Sequence, residues 1–553
     1  MRLIPLALLA FVVPFAVFAD EPEAPKTAPE AKKDEAKKDG AKKEEPLDPN
    51  KLPMTKLDPS KLIPNLCTSR YQITTRSPEC QAYFDQGLGY FHSYVWIEAA
   101  RSFETATKHD PECALAWWGL SRAIEKWGKG NQTAALKKAQ ELLANASHRE
   151  SLLIKSRLAE KGMIEGVTPE LRKKEAMKHL DELLTLFDDD EEGWFARAQI
   201  AEGANAGVPY YKALLRVNPL HAGAHHELVH HYENIRRPAL GWQHAVKYIE
   251  STPGIPHAFH MQSHLGMRIG RWDKTTDWSW HAIEVQRKYH KDMNVKPSED
   301  WQYSHHLETL TMALTHDGRY KQAREIQKLS RDAKYEHRLP WFRLHLVEGS
   351  YDEALAIADL HKKEKTTRSW LRALVFLKQK DADRAKHEID VLQEAFRAKR
   401  EDKELELRLW ETQGQLLCLQ GGGEGGLKLL EKAVKKTMND FRHHAWGHGA
   451  YYMETWGLAA LACNRLEMAE EAFLEALAHD SGSVRGALGM QVVCERQGRT
   501  EESIRFSELA QRYWKRADAG RLQAELDAMR RDNTPTPAGP AVSLAPEAGQ
   551  VGK

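Results

Sequence analysis

Residues 80–111 read CQAYFDQGLGYFHSYVWIEAARSFETATKHDP, and the packing this stretch demands decides the fold. Apolar side chains recur at helical spacing on both sides of a short break, so the stretch is two helices joined by a turn. Gly87 and Ala99 are small where those two helices must touch. Phe103 and Ala106 form a further apolar face that only the next helix can cover, and Pro111 ends the second helix.

Counted so that Ala99 is position 20 of a 34-residue unit, Tyr83, Gly87, Tyr90, Trp96, Phe103, Ala106 and Pro111 fall on aromatic, small and proline positions. In this the stretch closely resembles the tetratricopeptide repeat. Gly457, Ala469, Phe473 and Ala476 take positions 8, 20, 24 and 27 of a second good match, and weaker units lie around Trp410, Gly414 and Ala433, around Tyr320 and Ala323, and around Tyr351 and Ala354. One such unit cannot bury its apolar face alone. The resemblance therefore implies an all-α, tetratricopeptide-type α-solenoid of antiparallel helix pairs over residues 60–532, continuous and right-handed, with a concave groove that binds a protein or peptide.

The rest of the composition agrees with that reading. At 553 residues the chain is longer than single cores grow, whereas a repeat array has no such limit. Lys and Arg number 80 against 79 Asp and Glu, which leaves no field to hold a polyanion and excludes nucleic acid as a partner. The chain opens MRLIPLALLAFVVPFAVFAD, one Arg before an apolar run with small residues at Val17 and Ala19. Residues 1–19 read as a secretory signal cleaved after Ala19, so the protein is expected in the periplasm or outside the cell. No later apolar run is long enough to span a membrane. Residues 20–59 read as a disordered Lys/Glu/Ala/Pro-rich tether, and 533–553 as a disordered tail.

Six cysteines in so long a chain do not make a disulfide framework. Cys67 and Cys80 flank a short segment that one bridge would close. Cys113, Cys418, Cys463 and Cys494 sit in helical patterns as small core residues.

Nine of the 26 histidines fall between His221 and His264. His226 and His230 lie in HHELVHH, and His260 and His264 lie in HAFHMQSH, each 34 residues from its counterpart. With Ala222 and Pro256 as position 1 of successive units, both pairs occupy positions 5 and 9. In tetratricopeptide proteins positions 2, 5, 9 and 12 of the first helix line the groove, so the resemblance implies that all four imidazoles face it and can converge on one ion. Glu233 at position 12 and His257 at position 2 join the same wall. In the next unit, with Ala323 at position 20, His305 takes position 2 and Glu308 position 5.

The strings also resemble a group of uncharacterised bacterial tetratricopeptide proteins that carry paired histidines in strings like NHYxxH, HMPSH and YPHNxH. His226, His230, His260, His264 and His305 match; Glu227, Gln262 and Glu308 depart from that pattern.

His-rich ligation suits zinc, copper, nickel or ferrous iron, so His226, His230, His260, His264 and His305 are the expected metal ligands. HELVH also fits the zincin pattern HExxH, in which a glutamate activates water, with Glu227 or Glu233 as the base and Glu250 as a further ligand. The second pair lacks a glutamate at the equivalent place, which favours a scaffold with a metal site over a metal-dependent enzyme. His443, His444 and His448 read as a polar helix face. The glycine run from Gly421 to Gly426 lacks the Lys-Ser/Thr ending of a phosphate loop and reads as an inter-helix turn.

Overall fold

The computed structural model describes residues 48, 50–203, 205–439 and 450–531. The signal segment, most of the tether, the tail, and His443, His444 and His448 lie outside the described residues. Among the described residues are 25 α-helices, two short 3-10 turns and no strand. Among the described residues no helix is long and apolar enough to cross a membrane.

The chain divides into two compact units, residues 1–258 and 259–553. The first unit contains α1 (Pro78–Phe91), α2 (Trp96–His109), α3 (Ala114–Trp127), α4 (Gln132–Glu141), α5 (His148–Glu160), α6 (Arg172–Leu186), α7 (Glu191–Gln199), α8 (Val208–Val217), α9 (Ala222–Asn234), α10 (Pro238–Ser251) and the start of α11 (Pro256–Arg268). The second contains the rest of α11 and α12 (Trp272–Met293), α13 (Trp301–His316), α14 (Tyr320–Asp332), α15 (Leu339–Glu348), α16 (Tyr351–Ala358), α17 (Lys365–Lys378), α18 (Ala382–Ala398), α19 (Lys403–Leu419), α20 (Gly423–Thr437), α21 (Tyr451–Ala462), α22 (Leu466–His479), α23 (Val484–Arg496), α24 (Thr500–Tyr513) and α25 (Arg521–Arg531).

In both units the repeat packing follows the residues that signalled it. Ser77 caps α1 by accepting the Cys80 N–H at 3.1 Å, with Pro78 in the first turn. Phe103 is buried between two glycines: a Cβ at Gly87 on α1 or at Gly119 on α3 would stand 2.7 Å from its ring. Phe473 repeats the arrangement between Gly457 on α21 and Gly489 on α23. Each aromatic ring thus joins its own hairpin to the next one.

Part of the expected tether is structured. Leu52 is buried, and the buried Glu104 carboxylate of α2 accepts the Thr55 N–H at 2.9 Å and the Thr55 hydroxyl. The same segment donates Thr68 N–H to Ser251 O at 2.8 Å and Tyr71 O–H to Asp190 at 2.9 Å. Residues 50–77 are therefore a strap laid from the first hairpin of this unit to its last. The cysteines are free thiols: no bridge joins Cys67 and Cys80, and the thiols of Cys80 and Cys113, and of Cys418 and Cys463, meet as hydrogen-bonded pairs.

The second unit closes on itself. Trp272 at the start of α12 donates its indole N–H to Asp480, just past α22, at 3.0 Å. Trp514 donates to His316 O at 2.6 Å, and Asp518 N–H to Gly318 O at 3.0 Å. Burial pushes Asp480 up to about 7, against the opposing pull of the Gly482 N–H and Trp272 N–H it accepts. Between about pH 4 and 7 the folded chain therefore holds a proton that the unfolded chain lacks, and this group's contribution to stability is lost as pH rises through that window. Asp480→Asn keeps an acceptor for Trp272 without a charge. From pH 5 to pH 8, urea denaturation is expected to show the variant gaining about 2–3 kcal/mol relative to wild type; a pH-independent difference would contradict the assignment.

Candidate metal centres

α9 starts at Ala222 and α11 at Pro256, the two positions the repeat frame required. The cap of α9 is His221, whose Nδ1 accepts the Ala224 N–H at 3.1 Å. Residues four apart share a helix face, and the Nε2 atoms of His226 and His230 stand 3.1 Å apart. His257, in the first turn of α11, brings its Nε2 within 3.0 Å of His226 Nε2. One ligand atom from each of the three lies within 4.8 Å of the others. His226 and His257 are buried, and His230 is half-buried.

The tautomer of His226 is fixed by chemistry. Its Nδ1 lies 2.8 Å from the His92 carbonyl oxygen, which can only accept, so Nδ1 carries the proton and the Nε2 lone pair faces His230 and His257. His92 is held in turn by Glu192 at 3.0 Å, and Glu192 by Arg122 at 2.8 Å. Burial alone would raise the Glu192 pKa, but the charges of His92 and Arg122 hold it well below the usual carboxylate range. Two rings flank the set: Tyr248 stacks on His226 at 4.9 Å, and the Tyr94 ring centroid is 4.4 Å from that of His226.

The second set has the same construction. His260 and His264 share a face of α11, with Nε2 atoms 2.7 Å apart, and His305 of α13 brings its Nε2 to 2.9 Å from His260. All three are buried. His306 packs its ring 4.3 Å from His260 and bonds Gln286 through Nδ1 at 2.8 Å; burial pushes it down to about 3, so it stays neutral. α13 is positioned by its cap, Asp300, which accepts the Gln302 N–H at 3.1 Å and pairs with His290 at 2.8 Å.

Both sets therefore take positions 5 and 9 of one unit and position 2 of the next. The expected convergence of two pairs on one point gives way to two sets of three, and His257, expected as a wall residue, completes the first of them. In each set one Nε2 is a hub approached by two others. The single lone pair of His226 Nε2 cannot accept two full hydrogen bonds, whereas three lone pairs can converge on one cation. Metal bonds of about 2.0–2.1 Å place donor nitrogens roughly 2.9 Å apart at right angles and 3.3 Å apart at tetrahedral angles. The observed separations of 2.7–3.1 Å lie within a few tenths of an ångström of that range.

A third group, His92, Glu192 and His221, also has close ligand atoms. Its atoms have other work: Arg122 pairs with Glu192, and His221 Nδ1 caps α9. Burial and the neighbouring His92 push His221 down to about 3. This group supports the first set by orienting His226 and starting α9.

The carboxylates weighed for zincin chemistry lie outside both sets. Glu227 accepts the Tyr94 hydroxyl at 2.9 Å and Gln199 Nε2 at 3.0 Å. Glu233 is buried near the end of α9, and Glu250 pairs with Lys247 at 2.6 Å on an exposed face. Glu308 lies 3.6 Å from Arg338 on the wall of a separate cavity. His92 and Tyr94 were not expected at the site. Their loop carries no histidine spacing, and their contacts to His226 cross more than a hundred residues.

No protein-family model matches the chain, and no curated protein matches it. Among solved structures, the chain is similar to yeast Tom70 at 13% identity, with a TM-score of 0.32 over 82% of this chain and 95% of that one. It is similar to the Cut9–Hcn1 hetero-tetramer of the APC/C at 10% identity, with a TM-score of 0.32 over 82% of this chain and 90% of that one.

Proposed function

We propose that this protein is an exported helical-repeat scaffold that binds a protein or peptide partner and carries transition-metal ions on two three-imidazole sets, His226–His230–His257 and His260–His264–His305. The observation that carries the reading is the meeting of three Nε2 atoms in each set, built both times from repeat positions 5, 9 and 2. Neutral imidazoles as the only ligands suit zinc or copper(II) best, with copper bound more tightly. The buried second set suits a retained ion, and the half-buried His230 gives the first set a route for exchange. The leader-like opening of the chain supports export, and the likeness of the histidine strings to those of the exported bacterial tetratricopeptide group supports the same reading.

Chelator-stripped protein dialysed against zinc, and separately against copper(II), is expected to retain two ions per chain by elemental analysis. Retention well below one ion per chain with both metals would refute the metal reading and leave a scaffold alone.

A further inference from the structure

The glycine run from Gly421 to Gly426 does more than turn the chain between α19 and α20, because two of its glycines each leave room for a thiol. A Cβ at Gly426 would stand 2.6 Å from Sγ of Cys418, in the last turn of α19. One at Gly423 would stand 3.1 Å from Sγ of Cys463, just past α21. Cys418 Sγ also lies 3.8 Å from Gly423 O, so both sulfurs rest on the same residue. There the Cys418 S–H donates to the Cys463 sulfur. α19 and α21 pack against each other, so a bond between the two sulfurs would join helices already in contact.

The pair is open to solvent. Both thiols are half-buried, and Gln420, Gly421, Gly422, Ala462, Asn464 and Arg465 around them are exposed. Gly421 and Gly422 bring no side chain to cover the sulfurs. The hydrogen bond from Cys418, joined by the charge of Arg465, pulls the Cys463 thiol down to about 7 against burial. Cys418 is pushed up by giving that bond and by burial. Near neutral pH a large share of Cys463 is thus thiolate, the nucleophilic form, in a positively charged and partly exposed setting. Cys80 and Cys113 form a hydrogen-bonded pair of the opposite kind: they are 0% and 1% exposed, so an outside reagent reaches the first pair and not this one.

We infer that Cys418 and Cys463 form a reactive dithiol that exchanges with organic disulfides and closes to a reversible Cys418–Cys463 bond. Cys463, having lost its proton to water, attacks one sulfur of a disulfide RSSR. A mixed disulfide forms as the RS–SR bond breaks, and the departing RS⁻ takes a proton from water. Cys418 then attacks the Cys463 sulfur, the mixed disulfide breaks, and the second RS⁻ leaves with the proton that Cys418 gives up. Two protein thiols are oxidised, and one disulfide is reduced to two molecules of RSH. The product ties the end of α19 to the end of α21. The site shares no residue with the two histidine sets and does not depend on their holding metal.

The test incubates the reduced full chain at neutral pH with glutathione disulfide, with a chelator present so that copper does not oxidise the thiols. Remaining thiols are alkylated after unfolding, and the peptides are read by mass spectrometry. The peptides of Cys418 and Cys463 are expected to be joined with loss of two hydrogens, and dithiothreitol is expected to part them. Oxidation of Cys80 and Cys113 is expected to be at least about tenfold slower. Cys418→Ser is expected to stop at the mixed disulfide, with one glutathionyl group on Cys463. Cys463→Ser is expected to leave Cys418 reacting at least about tenfold more slowly than Cys463 does in the other variant. Cys418 and Cys463 both still alkylated in the treated wild-type protein would overturn the proposal. Oxidation of Cys80 and Cys113 as fast as that of Cys418 and Cys463 would also overturn it, because the reaction would then belong to the unfolded chain.

Discussion

Replacing His226 with alanine is expected to remove one of two bound ions and leave the other in place. His226 is the hub of its set, with its Nε2 within hydrogen-bond distance of both partners. Structural zinc held by four ligands is worth about 10–16 kcal/mol, so one ligand accounts for roughly 3–4 kcal/mol, or a loss of about 10²–10³ in affinity. His260→Ala is expected to do the same to the second set, where His264 and His305 both meet His260. The double variant is then expected to retain no metal after dialysis at micromolar zinc. His225→Ala is the control: His225 is also buried and bonds His244 at 3.0 Å, but it belongs to neither set. Circular dichroism of each variant separates ligand loss from unfolding. Two ions still bound by a folded double variant would sink the assignment of both sets.

Phe103→Ala and Phe473→Ala are each expected to cost about 3–5 kcal/mol of stability, measured by urea unfolding. The upper part of that range is favoured by the packing. Each ring lies against two glycines on different helices, so neither side has a side chain that can relax into the vacated volume. The effect divides between the units, Phe103 acting on residues 1–258 and Phe473 on residues 259–553. Losses below about 1 kcal/mol for both would mean that the rings do not lock successive hairpins together.

These two residues also mark how far the sequence could be read. Phe103, Gly87, Phe473 and Gly457 were legible because the fold asks for a ring and a missing side chain at fixed spacing. Ala222 and Pro256 were legible as helix starts, which placed His226, His230, His260 and His264 on the right helix faces. The third histidine of each set was present in the same frame, as His257 and His305 at position 2. Its pairing was not legible, because it depends on the rotation and rise between successive first helices, which the intervening helix and loops set. His92 and Tyr94 could not be found at all, since a backbone carbonyl and a loop ring leave no pattern. The strap was hidden by composition: half of residues 50–59 are polar and two are proline, and order there comes from Glu104 accepting their backbone N–H groups.

The closure of the second unit bears on how the protein is made. Trp272 and its acceptor Asp480 are 208 residues apart. At about 5–20 residues added per second, Trp272 leaves the ribosome roughly 10–40 s before its partner exists. Ordinary repeat arrays meet no such delay, because every contact is with a neighbour just synthesised. Here the edge formed by Trp272, His316 and Gly318 must wait uncovered through the synthesis of most of its own unit. That interval is the period in which the nascent chain most needs a holding chaperone.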